Sequence, residues 1–115
     1  MEMMRAVERV WHRARHMIRG GRITNSDDTG NAQILQVRLS DRELRDNTPM
    51  LTIHGLASRP HKDTDVVVLF IGGDRSAGVA IATSHQEKRL KNLAEGEVAL
   101  YDDKGKKIHL TQADG

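Results

Sequence analysis

Six consecutive apolar residues, Val66–Ile71, set the limits on the fold of this chain. Four of the six are β-branched, and the turn Gly72–Gly73–Asp74 separates them from a second apolar run, Gly78–Ala82. Apolar runs of this length around a glycine turn predict a deeply buried β-hairpin in a small closed sheet. We interpret this hairpin as core rather than as a catalytic site.

Three further strands are expected before the hairpin, at Arg22–Asn25, Ala32–Leu39 and Pro49–His54. Turn-forming residues separate the first two, residues 40–47 form a charged loop, and a long irregular connection follows the third strand. Five short strands with one long connection fit a small Greek-key barrel of the OB type. The predicted barrel core consists of Val66–Ile71, Val79–Ala82, Ile34, Leu35, Val37 and Ile53.

Residues 2–19 predict an amphipathic helix, because their apolar residues recur at spacings of three and four. Gly20–Gly21 is expected to end it. Five arginines lie in this segment, so an apolar face with arginines around it is also compatible with a membrane-surface helix. Packing on the barrel or on another chain explains the apolar face more simply.

The domain prediction has four parts: an N-terminal helix at 1–19, the barrel at 20–85, a linker at 86–95 and neck strands at 96–115. Val98, Leu100, Ile108 and Leu110 alternate with charged or small residues over two short strands. An isolated hairpin is marginally stable in water, so these side chains need partners. The pattern predicts a hairpin leading into a trimeric β-prism or β-helix, as the N-terminal part of a longer protein.

Chemical motifs are scarce in the 115 residues. The chain has no cysteine, and no Gly-x-Ser-x-Gly elbow is present, so the sequence does not support nucleophilic catalysis. His12 and His16 have the spacing of two zinc ligands, but no intervening glutamate or third ligand accompanies them. We predict no enzymatic activity, no metal site and no cofactor in this chain.

An OB barrel that binds single-stranded nucleic acid is the alternative function. Such barrels combine a basic groove with aromatic side chains on which bases stack. The net charge here is +2, Phe70 is assigned to the core, and Trp11 and Tyr101 lie outside the predicted barrel. We therefore expect no nucleic-acid partner.

Several motifs in a fixed order resemble the baseplate assembly protein V family, the central-spike proteins of Mu-like contractile phage tails. They are Gly21–Ile23, Gly30–Val37, His54–Pro60, Leu69–Arg75, Gly96–Asp102 and Gly105. The resemblance runs from about residue 5 to the end of the chain.

This resemblance implies a homotrimer in the virion tail baseplate, assembled in the host cytoplasm. It implies an OB barrel that meets the tail hub and other baseplate proteins, and a C-terminal β-helix that pierces the host outer membrane. Iron at the tip of such spikes is bound by a His-x-His pattern, which does not occur in this sequence. The residues predicted to contact the hub or the other trimer subunits are Val7, Val10, Trp11, Ala14, Val98, Leu100, Tyr101, Ile108 and Leu110.

Overall fold

The computed structural model describes residues 2–15 and 17–113, with the backbone alone at residues 12–15. It divides into two compact units, residues 1–85 and 86–115. The first unit contains helix α1 (Glu2–Arg15) and strands β1 (Ile18–Asp27), β2 (Gln33–Ser40), β3 (Glu43–Met50), β4 (Asp65–Phe70) and β5 (Gly78–Ser84), with a 3₁₀ turn at Ile71–Gly73. The second contains β6 (Val98–Tyr101) and β7 (Lys107–Leu110).

The five strands of the first unit form a closed barrel in the order β1-β2-β3-β5-β4. Neighbouring strands are antiparallel, except that β3 meets β5 in parallel through Met50 and Ala80. The backbone N–H of Leu51 donates to Ala80 O at 3.0 Å beside this seam. The predicted mainly β fold, with an N-terminal helix, an OB-type barrel and a C-terminal hairpin, is confirmed. The trimeric β-prism stays a prediction.

The barrel core takes alternate residues from each strand, as a sheet with one covered face requires. Its members are Ile23, Leu35, Val37, Leu39, Met50, Val66, Val68, Phe70 and Ala80. Of the predicted core, Leu35, Val37, Val66, Val68, Phe70 and Ala80 are therefore correct.

Deep burial of the whole apolar run was a wrong prediction. Val68 is 1% exposed, but its neighbour Val67 is 36% exposed and Ile71 is 62% exposed. Successive side chains of a strand point to opposite faces, so half of the run faces outward. Ile53 was also wrongly placed in the core: it is 77% exposed, because it follows the end of β3.

Helix α1 ends four residues earlier than predicted, and Gly20–Gly21 lies inside β1 instead of ending the helix. Tertiary pairing overrides the helical pattern here, because Ile18 and Arg19 pair with Leu69 and Val68 of β4. A Cβ on Gly21 would lie 2.7 Å from Arg38 O and 2.8 Å from a Val37 methyl carbon. Glycine is therefore required at position 21 for close packing of two strands.

Strand β3 covers the segment that we predicted as a charged loop, and most of the predicted strand Pro49–His54 is irregular. The inward positions at the start of β3 carry Glu43 and Arg45, which are half-buried. Because charged residues occupy inward positions of β3, its sequence lacks the alternation of apolar and polar residues that predicts a strand. Their pairing at the barrel end, described below, explains why they are tolerated there.

Candidate functional site

Helix α1 presents the first candidate contact surface. Val7, Val10 and Trp11 share one face with Met3 and Met4, and all five side chains are between 57% and 77% exposed. The predicted contact residue Ala14 lies on the helix, but its side chain is outside the described part of the chain. The side chains of His12 and His16 are outside it as well.

The β6–β7 hairpin presents the second surface. Val98 pairs with Leu110 and Leu100 pairs with Ile108, so these four side chains share one face. Each is between 55% and 69% exposed. Tyr101, which was predicted as a contact residue together with these four, pairs with Lys107 and lies on the other face. These four side chains therefore form one exposed apolar face of the hairpin.

Glu97 fixes the base of this hairpin. Its carboxylate accepts hydrogen bonds from the backbone N–H groups of Ala94 at 2.9 Å and Gln112 at 3.0 Å, and His109 Nε2 lies 3.3 Å away. The hydrogen bonds from Ala94 and Gln112, with a smaller contribution from His109, lower the pKa of Glu97 despite its partial burial. One side chain thus joins the segment before β6 to Gln112, two residues after the end of β7.

The turn at the other end of the hairpin is closed by Asp102. Its Oδ1 accepts from the backbone N–H groups of Lys104 and Lys106, each at 2.9 Å. Gly105 has φ +86°, a conformation that side-chain-bearing residues rarely adopt. The residues of this turn therefore fix the register in which β6 and β7 pair.

A cluster of three arginines around Glu43 lies at the barrel end beside the 3₁₀ turn. Glu43 Oε1 is 2.6 Å from Arg75 Nη2 and 3.9 Å from Arg19 Nη1, and Oε2 is 3.0 Å from Arg45 Nη2. All four side chains are partly buried. The Arg75 guanidinium also lies 4.4 Å from the centroid of the Phe70 ring, within cation–π distance.

The motif residues Leu69–Arg75 have a structural explanation in this cluster. Gly72 and Gly73 adopt φ of +64° and +77°, and the Asp74 carboxylate accepts from Ser76 N at 2.9 Å and Ser76 Oγ at 2.7 Å. This turn carries Arg75 back over Phe70. The sequence did not predict this cluster, because its members are far apart along the chain. Only the Gly-Gly-Asp-Arg pattern indicated that Arg75 belongs to a specific turn.

The motif residues His54–Pro60 lie at the barrel end opposite the Glu43 cluster. Arg59 donates through Nε to Ser26 Oγ and through Nη2 to Ser26 O, both at 2.9 Å. Gln33 Nε2 donates to Ser58 O at 2.9 Å. These bonds hold the long connection between β3 and β4 against β1 and β2.

A shallow groove of about 310 Å³ lies on the β1–β2–β3 side of the barrel. Its lining includes Asp27, Asp46, Asn25, Asn47 and Gln36, and among the described residues it contains no arginine, lysine or aromatic side chain. Hydrogen bonds from Thr29 lower the pKa of Asp27, so this carboxylate is charged at neutral pH. Its charge repels phosphate groups, and the groove therefore offers no support for nucleic-acid binding.

Among the described side chains, those of residues 2–11 and 17–113, no three His, Asp or Glu come together as a metal site. The helix in the described part of the chain is too short to cross a membrane. The absence of a cofactor and of a catalytic site stays a prediction.

Comparison with known proteins assigns the barrel to a family. Residues 20–87 match the family model described as "Bacteriophage Mu Gp45, N-terminal". The "Baseplate puncturing device gp45" of Escherichia phage Mu is 28% identical over 103 residues, covering 90% of this chain and 52% of that protein. The "Mu-like prophage FluMu protein gp45" of Haemophilus influenzae is 31% identical over 86 residues, covering 75% of this chain and 47% of that protein. The chain spans about half the length of these curated relatives.

Proposed function

Because this chain belongs to the Bacteriophage Mu Gp45 family, we propose that it is a structural component of a phage tail baseplate, the N-terminal part of a trimeric spike. The name of the phage Mu relative, a baseplate puncturing device, supports this role. In this proposal the barrel joins the spike to the tail hub and neighbouring baseplate proteins. The β6–β7 hairpin begins a β-helix that pierces the host outer membrane.

The uncovered apolar face of the hairpin carries the proposal. Val98, Leu100, Ile108 and Leu110 present their side chains to solvent from one face of a two-stranded sheet. Two strands alone are marginally stable, and clustered apolar side chains gain free energy when a partner removes them from water. Three hairpins around one axis bury each apolar face against the other two. The neck of a trimeric spike is such an arrangement.

The proposed role requires no catalysis and no cofactor in this chain. Glu43 and its three arginines are half-buried, and each arginine forms an ion pair with the Glu43 carboxylate. This arrangement is a structural one, at the end of the barrel. We further propose that the protein resides in the virion tail after assembly in the host cytoplasm; the baseplate name of the phage Mu relative supports the tail location.

Substitutions on the two faces of the hairpin test the proposal. Ile108→Glu puts a charge on the apolar face, whereas Lys107→Glu changes the neighbouring residue on the other face. In sedimentation velocity, we expect Ile108→Glu to shift the protein from trimer to monomer and Lys107→Glu to leave a trimer. If both variants remain trimeric, the hairpin does not hold the spike together.

Nucleic-acid binding is tested separately. Fluorescence anisotropy with labelled single-stranded DNA at about 150 mM salt reports any phosphate-driven affinity. We expect no binding at micromolar protein concentrations. Micromolar or tighter binding would favour the alternative function of an OB nucleic-acid module.

A further inference from the structure

We propose that the outer face of β1, β4 and β5 is covered by the apolar face of helix α1 from a second copy of this chain. This contact rests on the proposed trimer and adds a second interface between its subunits. We call the two surfaces the sheet patch and the helix face. The sheet patch consists of Ile18, Gly20, Val67, Leu69, Val79 and Ala82. The helix face consists of Met3, Met4, Val7, Val10 and Trp11.

The apolar run of β4 provides the first observation. Val66, Val68 and Phe70 fill the core, but the alternate residues Val67 and Leu69 face outward and are equally apolar. A strand with one face in water normally alternates apolar with polar residues, and a continuous apolar run is typical of a strand covered on both faces. The composition of β4 therefore indicates that its outer face is also covered.

The neighbouring strands extend this outer face sideways. Ile18 pairs with Leu69 and Leu69 with Val79, while Gly20 pairs with Val67 and Val67 with Ala82. Both rows of paired residues, one through Leu69 and one through Val67, are therefore apolar on β1, β4 and β5. The next row contains Arg22 and Asp65, whose side chains form an ion pair at 3.1 Å, so the patch has a polar border.

Small residues give the sheet patch a shape that suits a large side chain. A Cβ built on Gly20 has no heavy atom within 4 Å, so the surface is open above this residue. Ala82 lies on the far side of Val67 in the same row. An indole or a methionine side chain can occupy the space left above Gly20.

Helix α1 is the occupant that the chain itself supplies. The five side chains of the helix face are exposed, so its own barrel does not cover them. Met17 O accepts a hydrogen bond from Phe70 N at 2.7 Å, so strand pairing starts two residues after the helix ends at Arg15. This connection is shorter than most that join packed elements, and it leaves little chain to fold the helix back over β1.

The length of the helix allows contact with a neighbouring barrel. A helix of fourteen residues is about 21 Å long at 1.5 Å per residue. A helix face that fits a different patch on the next copy makes a heterologous contact, and three such contacts close into a ring when the rotation allows. The helix face of each copy then packs on the sheet patch of one neighbour, and its own sheet patch binds the helix of the other neighbour.

Engineered cysteines test this contact cleanly, because the chain has no cysteine of its own. Trp11→Cys combined with Val67→Cys places one thiol on the helix face and one on the sheet patch. The matched control is Arg9→Cys with Val67→Cys, because Arg9 lies on the opposite side of the helix. A short bis-maleimide is added to each protein, and the products are separated by denaturing gel electrophoresis and intact mass spectrometry.

We expect covalent dimer and trimer from the Trp11/Val67 pair and little of either from the Arg9/Val67 pair. Cross-linking confined within single chains would overturn the inference, since the helix would then cover its own barrel. A protein that sediments as a trimer but gives no specific cross-link would also overturn it and leave the proposed function intact. A protein that sediments as a monomer and does not cross-link would contradict both proposals.

Discussion

The guanidinium of Arg75 lies 4.4 Å from the centroid of the Phe70 ring and donates to the Glu43 carboxylate at 2.6 Å. Phe70 is 1% exposed and fills the barrel beneath it. Arg19 and Arg45 approach the same carboxylate from β1 and β3. One glutamate thus connects three parts of the chain where the apolar core ends.

Glu43→Gln is expected to destabilise the barrel by about 1–3 kcal/mol, because it leaves three partly buried guanidinium groups without their shared carboxylate. Chemical denaturation measures this change. Asp41→Asn, in the exposed turn between β2 and β3, is the control and should leave the midpoint unchanged. Equal midpoints for both variants would mean that the cluster contributes nothing to stability.

Leu35→Ala is expected to cost about 2–5 kcal/mol through lost transfer free energy and a new cavity, because Leu35 is fully buried. Leu56→Ala makes the same chemical change in the connection between β3 and β4, where the side chain is 43% exposed. We expect it to cost less than about 1 kcal/mol. Urea unfolding of both variants checks the assigned core, and similar losses would refute it.

Gly21→Ala and Gly20→Ala form a matched pair on one strand. The new methyl group at position 21 would overlap Arg38 O and the Val37 and Leu39 side chains, whereas position 20 is open. We expect Gly21→Ala to lower the free energy of unfolding by about 1–3 kcal/mol and Gly20→Ala to leave it unchanged or slightly higher. A tolerant position 21 would contradict the pairing of β1 with β2 described here.

The hairpin should lose stability in acid because the pKa of Glu97 is lowered in the folded state by the hydrogen bonds from Ala94 and Gln112. The stabilisation is fully present above the ordinary glutamate pKa of about 4.3 and is lost as the pH falls through the lower folded value. NMR monitoring of the Gln112 amide proton during acid titration measures this loss. In Glu97→Gln the acid-dependent change should disappear, and its persistence would assign the effect to another group.

The sequence was sufficient to predict the barrel, its hairpin and the C-terminal strands, because Val66–Phe70, Val98–Leu100 and Ile108–Leu110 carry strong local patterns. It misplaced β3, because the inward-facing Glu43 is stabilised by Arg19 and Arg75 from distant parts of the chain. It extended the helix too far, because Ile18 fits a helical pattern and a strand equally well. The tertiary contact with Leu69 decides between them.

The outer face of β4 could not be separated from the core by sequence alone. Val67 and Val68 are chemically identical neighbours, and only the strand register determines which one enters the barrel. The same limitation concealed the sheet patch, which requires β1 and β5 to lie on either side of β4. Pairing between distant strands therefore determines both the core and the proposed interface.

Sedimentation equilibrium of the unmodified chain tests the central claim of a trimeric spike most directly. The account predicts a species of about three times the 12.9 kDa mass of one chain. Because association depends on protomer concentration, the measurement should extend from about 1 to about 100 µM. A single species of 12.9 kDa over this whole range would contradict the account.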